Sequence, residues 1–290
     1  MDTATAAPAP AQGRPSKFGV LLRVGIFAFL EIAGMAIIAP LMFPIAGYLV
    51  SATLSTFAAA AIANTMAIRV YERGQISDVG LGWTAASRKN LLIGLAGGIG
   101  AALLVLVPPL IVGAAVLRPA EDWTFSPASI LFICIVLLFG AIGEELLFRG
   151  YGFQVLLTSI GEYATILPVS VIFGLAHSNN QNASDLGLAN TMLWGLLFGL
   201  AFLRSRDLWL PIGLHYGWNV TLPFFGVNLS GFTMKVTGYS MEWNISTLWS
   251  GGEYGPEAGV LTTIVLAALF YGLYKAPIVR QHSPLYQPED

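Results

Sequence analysis

Three short stretches place ionisable or strongly polar residues in otherwise apolar sequence, and their spacing defines what they can do. The first is Gly143 to Gly150, GEELLFRG, directly after the apolar run ILFICIVLLFGAI. On a helix Glu145 and Arg149 stand at i and i+4 on one face, acid before base, the order an ion pair prefers. Glu144 points about 100° away at 3.6 residues per turn, so it faces something else. The second stretch, FGLAH, runs from Phe173 to His177, and the third, HYGWN, sets His215 and Asn219 one turn apart. An unpaired carboxylate, a histidine and a His/Asn donor pair are the parts needed to hydrolyse an amide. Glu144 with His177 orients and deprotonates a water, while His215 and Asn219 donate to the oxyanion of the tetrahedral intermediate. Glu145 and Arg149 hold the helix and the field around Glu144.

Each stretch alone has a plainer explanation. Charges after an apolar run can simply end a span in the headgroup region, and a lone buried histidine is more often a hydrogen-bonded core residue. Their joint occurrence is harder to dismiss, because the chain has only three histidines and two lie in apolar segments. The third, His282, is in the polar carboxyl-terminal tail. Ionisable groups inside spans are costly and face a bundle interior or a watery cavity. Glu31 and Asn64 also interrupt apolar sequence; they fall outside the three stretches and are not read as catalytic.

The elements that position these residues are membrane helices. With 56% hydrophobic and only 10% charged residues in 290, the composition is that of an integral membrane protein. Acidic residues (16) nearly balance basic ones (14), so there is no basic field for nucleic acid. A single cysteine, Cys134, excludes an internal disulfide and a cysteine-based zinc cluster.

A spanning helix needs roughly 20 mostly apolar residues, and eight such stretches start near Val20, Pro44, Leu91, Ala128, Ala164, Leu188, Leu208 and Gly259. The predicted fold class is therefore all-α, a polytopic transmembrane helical bundle. Pro40 to Pro44 (PLMFP) is read as the break between the first two spans. An even number of spans puts Arg14, Lys17, Arg23, Arg69, Arg73, Arg88, Lys89, Arg149, Arg204, Arg206, Lys275 and Arg280 on one side, and only Arg118 and Lys235 on the other. The positive-inside rule makes the basic side cytoplasmic, with both termini. Residues 1–17 are read as a disordered cytoplasmic tail and 277–290 as a cytoplasmic tail. The long outer segment from Gly226 to Glu257 is read as a loop, with an interfacial cap as the alternative. Gly94 with Gly98, and Gly195 with Gly199, are expected to let helices approach closely.

Helical rise also predicts depth. If the fourth and fifth spans turn near Ser159 to Glu162, Glu144 and His177 lie about 16 residues either side, on the order of 24 Å from the tip. His215 is only about seven residues into its span, roughly 10 Å, so that hairpin must protrude or the bilayer must thin.

The three motifs, in this order on separate apolar spans, resemble the CAAX protease and bacteriocin-processing (CPBP, or Abi) intramembrane proteases, related to the type II CAAX prenyl endopeptidase. The family's pair of glutamates followed after three residues by arginine is matched by Glu144, Glu145 and Arg149. Its Phe-x-x-x-His is matched by Phe173 and His177, and its His-x-x-x-Asn by His215 and Asn219. The resemblance runs from about Ile130 to Phe225. It implies a protease domain over residues 18–276 with its catalytic core at about 128–225, and a conical cavity open to the cytoplasmic side and the membrane. It also implies endopeptidase action on membrane-associated substrates, such as prenylated tails or peptide precursors.

Family members have been called metalloproteases, and Glu144, His177 and His215 would be the ligands of a zinc ion. That use leaves no other acid placed as a base, and HExxH is absent, so a metal-free, glutamate-activated water is the preferred reading, with no cofactor favoured and zinc as the alternative. The expected partners are the lipid bilayer and a peptide or lipidated protein, and the expected location is a bacterial inner membrane. A transporter or proton relay would use similar residues, but no internal repeat supports it. An inactive scaffold of the same fold is opposed by the intact motif set.

Overall fold

The structure is a computed structural model that describes residues 16–120, 126–234 and 236–286. The expected amino-terminal tail lies almost wholly outside the described residues, as do Arg14, Lys235 and the last four positions of the carboxyl-terminal tail. The fold is an all-α bundle with one small sheet.

The first helix, α1 (Lys17–Ala67), is an antiparallel hairpin of two apolar arms, extended by a π-helical turn over Ile68–Glu72. Its reversal is at Gly47, where φ is +71°, a backbone state that glycine adopts without a Cβ penalty. The arms meet where Gly34 packs on Ala59, so closely that a Cβ at Gly34 would lie 2.8 Å from the Ala59 Cβ. Thr56 Oγ1 donates to the Met35 sulfur at 3.6 Å, and Arg23 pairs with Glu72 at the open end. The expected break at Pro40 to Pro44 is thus corrected: both prolines lie within the helical first arm. A membrane helix accommodates proline when its neighbours satisfy the freed carbonyls, so the positive-φ glycine, not proline, makes the turn.

Helix α2 (Ala85–Ile111) starts at a reciprocal cap in which Thr84 and Ser87 exchange side-chain and backbone bonds. It lies against α7 (Trp209–Phe224) through interlocked glycines. Gly94 and Gly98 meet the α7 backbone at Leu210 to Trp218, and Gly213 and Gly217 meet the α2 backbone at Leu91 to Ile99. A Cβ at Gly98 would come within 2.2 Å of Leu214 O, so no larger residue fits without parting the helices. The same principle seats Gly195 on Ser170 and Gly199 on Ile166, joining α6 (Asp185–Ser205) to α5 (Glu162–Leu175). Both expected small-residue contacts are present. Because lipid tails are as apolar as leucine, this close packing rather than the hydrophobic effect holds such helices together.

Helix α3 (Pro127–Arg149) begins at the Ser126 cap with proline at its first position and stops at Gly150, after which α4 (Tyr151–Ile160) leaves in a new direction. Asn64 secures the break: its amide donates to Leu146 O at 3.1 Å and its carbonyl accepts from Tyr151 N at 2.7 Å. The polar Asn64 inside α1 is therefore a cap for another helix.

Among the described residues, four helical stretches are long and apolar enough to cross a membrane: Lys17–Glu72, Ala85–Ile111, Pro127–Ile160 and Asp185–Ser205. Helix α5 and helix α9 (Val260–Lys275) are apolar but shorter. The eight apolar stretches of the sequence thus appear as eight helical arms, with α1 supplying two. These features are those of an integral membrane protein.

Most described basic residues lie on the helix ends and connections at one end of the bundle, while Arg149 is buried within it and Arg118 pairs with Glu242 at the other end. The basic end is laced by polar contacts: Asn90 to Asp207 and Val279, Gln154 to Val79, and Gln281 to Thr84. The carboxyl-terminal residues 277–286 are threaded into this lacing, and Tyr286 is buried with its hydroxyl on Glu162. At the opposite end, β1 (Ala115–Pro119) pairs antiparallel with β2 (Tyr239–Trp243), followed by a one-turn helix α8 (Thr247–Ser250) and two 3₁₀ turns. The segment expected to be a loop is an ordered cap.

Candidate active site

The three motifs converge on one cavity of about 380 Å³. Glu144 and Glu145, adjacent in α3, face different surroundings. Glu145 is fully buried and Arg149, equally buried, donates to its Oε1 at 3.4 Å. The other end of the guanidinium donates to Gly195 O at 2.7 Å. Three rings surround the guanidinium, the closest being Phe173 at 4.8 Å from its centroid. Such a charge has no water, so Glu145 and Gly195 O must satisfy it. Gly195 therefore serves twice: its missing Cβ admits α5, and its carbonyl anchors Arg149.

Glu145 has a second partner that the sequence did not disclose. His215 Nδ1 lies 2.9 Å from Glu145 Oε1, while the imidazole stacks on Phe198 at 4.9 Å between centroids. An ionised carboxylate only accepts, so Nδ1 carries hydrogen and Nε2 is left for the cavity. The helix face follows from the glycines: Gly213 and Gly217 turn toward α2, and His215, two residues from each, turns away from it. Asn219, one turn on, also lines the cavity.

Glu144 lines the cavity as expected, with its side chain 29% exposed. Its Oε2 is 3.9 Å from His177 Nε2 and 3.8 Å from His215 Nε2. Both separations exceed a direct hydrogen bond and suit a water seated out of line between the groups. His177 is not on a helix but in the turn after α5, where its Nδ1 lies 2.8 Å from Phe173 O. A carbonyl only accepts, so this contact puts hydrogen on Nδ1 and directs Nε2 inward. Phe173 contributes more than a carbonyl: its ring touches those of Phe148, His177 and His215. The expected equal depth of Glu144 and His177 holds at contact distance. The path differs from a straight hairpin, since α3 breaks at Gly150 and α5 ends before His177.

The donors proposed for zinc can be tested for fit. Ligand distances of about 2.0–2.1 Å in a tetrahedron put neighbouring donors roughly 3.3 Å apart, closer than the separations here. Among the described residues, no group of three His, Cys, Asp or Glu side chains is disposed to hold a metal ion.

The cavity wall also contains residues that the sequence reading left in the outer segment. Leu229, Ser230, Phe232, Met234 and Glu257 line it from the cap, together with Tyr48 and Leu49 from the α1 reversal. None of the lining comes from the basic-end connections 68–84 or 150–161. The resemblance implied an opening on the basic, cytoplasmic side, whereas this wall extends toward the opposite end. Glu257 is buried, while Glu242 and Glu253 of the same segment are exposed. Only position beside Pro256 and the start of α9 distinguishes it in sequence. Glu31 is buried and takes no part in the cavity lining.

A protein of Escherichia coli described as an uncharacterized 24.3 kDa protein is 30% identical to this chain over 151 residues, 49% of this chain and 62% of that protein. The chain thus matches less than two thirds of that relative's length. Residues 126–221, which carry every motif residue of the site, match the family described as type II CAAX prenyl endopeptidase Rce1-like, the same kinship that the three motifs imply.

Proposed function

We propose that this chain is an intramembrane endopeptidase that hydrolyses peptide bonds of membrane-associated substrates, prenylated tails or precursor peptides, with a water activated by Glu144 and His177. One observation carries this reading: Glu144 Oε2 faces two imidazole Nε2 atoms at 3.8–3.9 Å on the wall of a cavity. The similarity of residues 126–221 to CAAX prenyl endopeptidases supports the reaction class.

In this mechanism water lies between Glu144 and His177, with the His177 Nε2 lone pair orienting one O–H bond. Glu144 takes the other proton as the oxygen attacks the carbonyl, then passes it to the leaving amine. Asn219 and His215 donate to the oxyanion. To donate from Nε2 while Nδ1 stays on Glu145, His215 acts as an imidazolium in this mechanism. Arg149 offsets the remaining charge and fixes Glu145. No step is routed through a metal.

The bacterial inner membrane, and cytoplasmic placement of both termini, are part of the proposal. The gathering of basic residues at one end of the bundle supports that orientation.

The test is cleavage of a panel of prenylated and unmodified peptides by the purified protein in detergent. Wild type should cleave at least one class, and Glu144→Gln should lose about 10²–10⁴-fold of the rate, the usual worth of a general base. Equal rates would overturn the mechanism. Activity that persists after metal stripping with a strong chelator supports the metal-free reading; loss restored by zinc would refute it.

A further inference from the structure

Among the described residues, the cap carries one charged side chain into the cavity, and the peptidase mechanism leaves it without a task. Glu257 is only 7% exposed and lines the cavity wall. Its Oε1 accepts from Trp218 Nε1 at 3.2 Å, and its Oε2 accepts from Ser230 N and, at 2.9 Å, from Ser230 Oγ. The indole and backbone N–H groups can only donate, and each takes a different oxygen, an arrangement that suits a carboxylate. Burial raises this carboxyl above its ordinary range, and the Ser230 and Trp218 donors with the nearby His177 offset only part of that rise.

These donors are neutral and leave the charge uncancelled. The described lining holds two acids, Glu144 and Glu257, two histidines, and neither lysine nor arginine. Arg149 is committed beneath the cavity to Glu145 and Gly195 O. Trp218, which donates to Glu257, packs against a second indole of the cavity wall, Trp194, with ring centroids 4.9 Å apart. A carboxylate next to aromatic rings is a recognition environment for an organic cation, which gains from the charge and from the ring quadrupoles.

We infer that the Glu257 end of the cavity is a subsite for a cationic side chain of the substrate, lysine or arginine, near the bond to be cut. The inference rests on the peptidase reading and adds a preference to it: next to Glu257, basic segments are favoured and acidic segments are disfavoured. The cap thereby takes part in substrate selection as well as closing the bundle end.

The experiment compares peptides identical except for Lys, Gln or Glu at positions flanking the cleavage site. Cleavage is measured with wild type, Glu257→Gln and Glu257→Asp, and binding of labelled peptides by anisotropy is measured in a Glu144→Gln background with and without Glu257→Gln. The expected wild-type preference for Lys over Glu peptides is about tenfold or more, the equivalent of ~1.4 kcal/mol. It should collapse to roughly threefold or less in Glu257→Gln, or ~0.65 kcal/mol, and survive in Glu257→Asp. Cleavage without a charge preference, or a preference unchanged by Glu257→Gln, overturns the subsite and leaves the peptidase standing. No cleavage of any peptide, with the binding preference present and dependent on Glu257, overturns the peptidase and leaves the subsite standing. If Glu257→Gln does not fold, as judged by size exclusion, the wild-type ranking and its survival in Glu257→Asp decide the question, and a flat ranking refutes it.

Discussion

Glu144 and Glu145 are consecutive residues with the same side chain, yet one borders a cavity and the other is sealed inside the bundle. On the sealed side, Arg149, Glu145 and His215 form a chain of contacts closed by Gly195 O and aromatic rings. On the open side, Glu144 has imidazoles near it but none within direct hydrogen-bond distance. The difference shows how a single step along a helix separates a charge that holds structure from a charge free to react. It also shows that the two are joined, since His215 touches the sealed carboxylate with one nitrogen and faces the reactive one with the other.

The contrast is sharpest if each side is broken in turn. Glu144→Gln should remove most activity, as stated above, while shifting the melting temperature in detergent by no more than about 2 °C, the scale of surface changes. A large loss of stability in that variant would move Glu144 to the structural side. Arg149→Met should do the reverse. Leaving Glu145 buried without its guanidinium costs on the order of 3–5 kcal/mol, so thermal or denaturant unfolding should shift strongly before any question of catalysis arises. An Arg149→Met protein of wild-type stability would show that the ion pair is dispensable.

Smaller effects probe the frame. Asn64→Ala leaves Leu146 O and Tyr151 N without their partner at the α3–α4 break and should cost about 1–3 kcal/mol. Asn64→Asp keeps the acceptor for Tyr151 N and loses the donor to Leu146 O, so chemical denaturation should rank it as damaged too. At the basic end, burial raises the Asp207 carboxyl above its ordinary value, against the donors from Asn90, Leu210 N, Ser205 and Gln281. A raised folded value means that the folded state binds its proton more tightly. This group's contribution is therefore greatest below the unfolded value near 3.9 and is lost as pH rises through the folded value. Asp207→Asn should flatten the change in melting temperature across that window, by a few degrees at most; an unchanged slope would assign the dependence to another group.

Much of the reactive side was legible because polar residues in apolar helices have few innocent explanations. Helical periodicity alone divided Glu144 from Glu145, and the motif order brought Phe173, His177, His215 and Asn219 to the same place. The sealed side was legible only as far as the i, i+4 pair. The His215–Glu145 contact joins residues 70 apart, which no local pattern encodes. The reversal at Gly47 was missed because Pro40 and Pro44 are stronger breakers in water than in a helix shielded by neighbours. Gly94 and Gly98 were legible as a small-residue spacing, but their match to Gly213 and Gly217 required knowing that α7 lies on α2. Glu257 looked like Glu242 and Glu253 because exposure, the property that separates them, depends on how the cap folds back.

The interlocked glycines of α2 and α7 have one more consequence. Gly213 and Gly217 are offset by two residues from His215 and Asn219, about 200° around the helix, so packing and chemistry are written on opposite faces of the same four-residue rhythm. A single residue inserted between Trp209 and Gly213 would shift both patterns together, and the helix could recover by sliding one step. One inserted between Gly213 and His215 would set His215, Gly217 and Asn219 about 100° out of phase with Gly213, so that keeping the imidazole aimed would turn Gly213 off its seat on α2. The helix behaves as an indexed shaft, whose keyway on one side fixes the angle of the tool on the other.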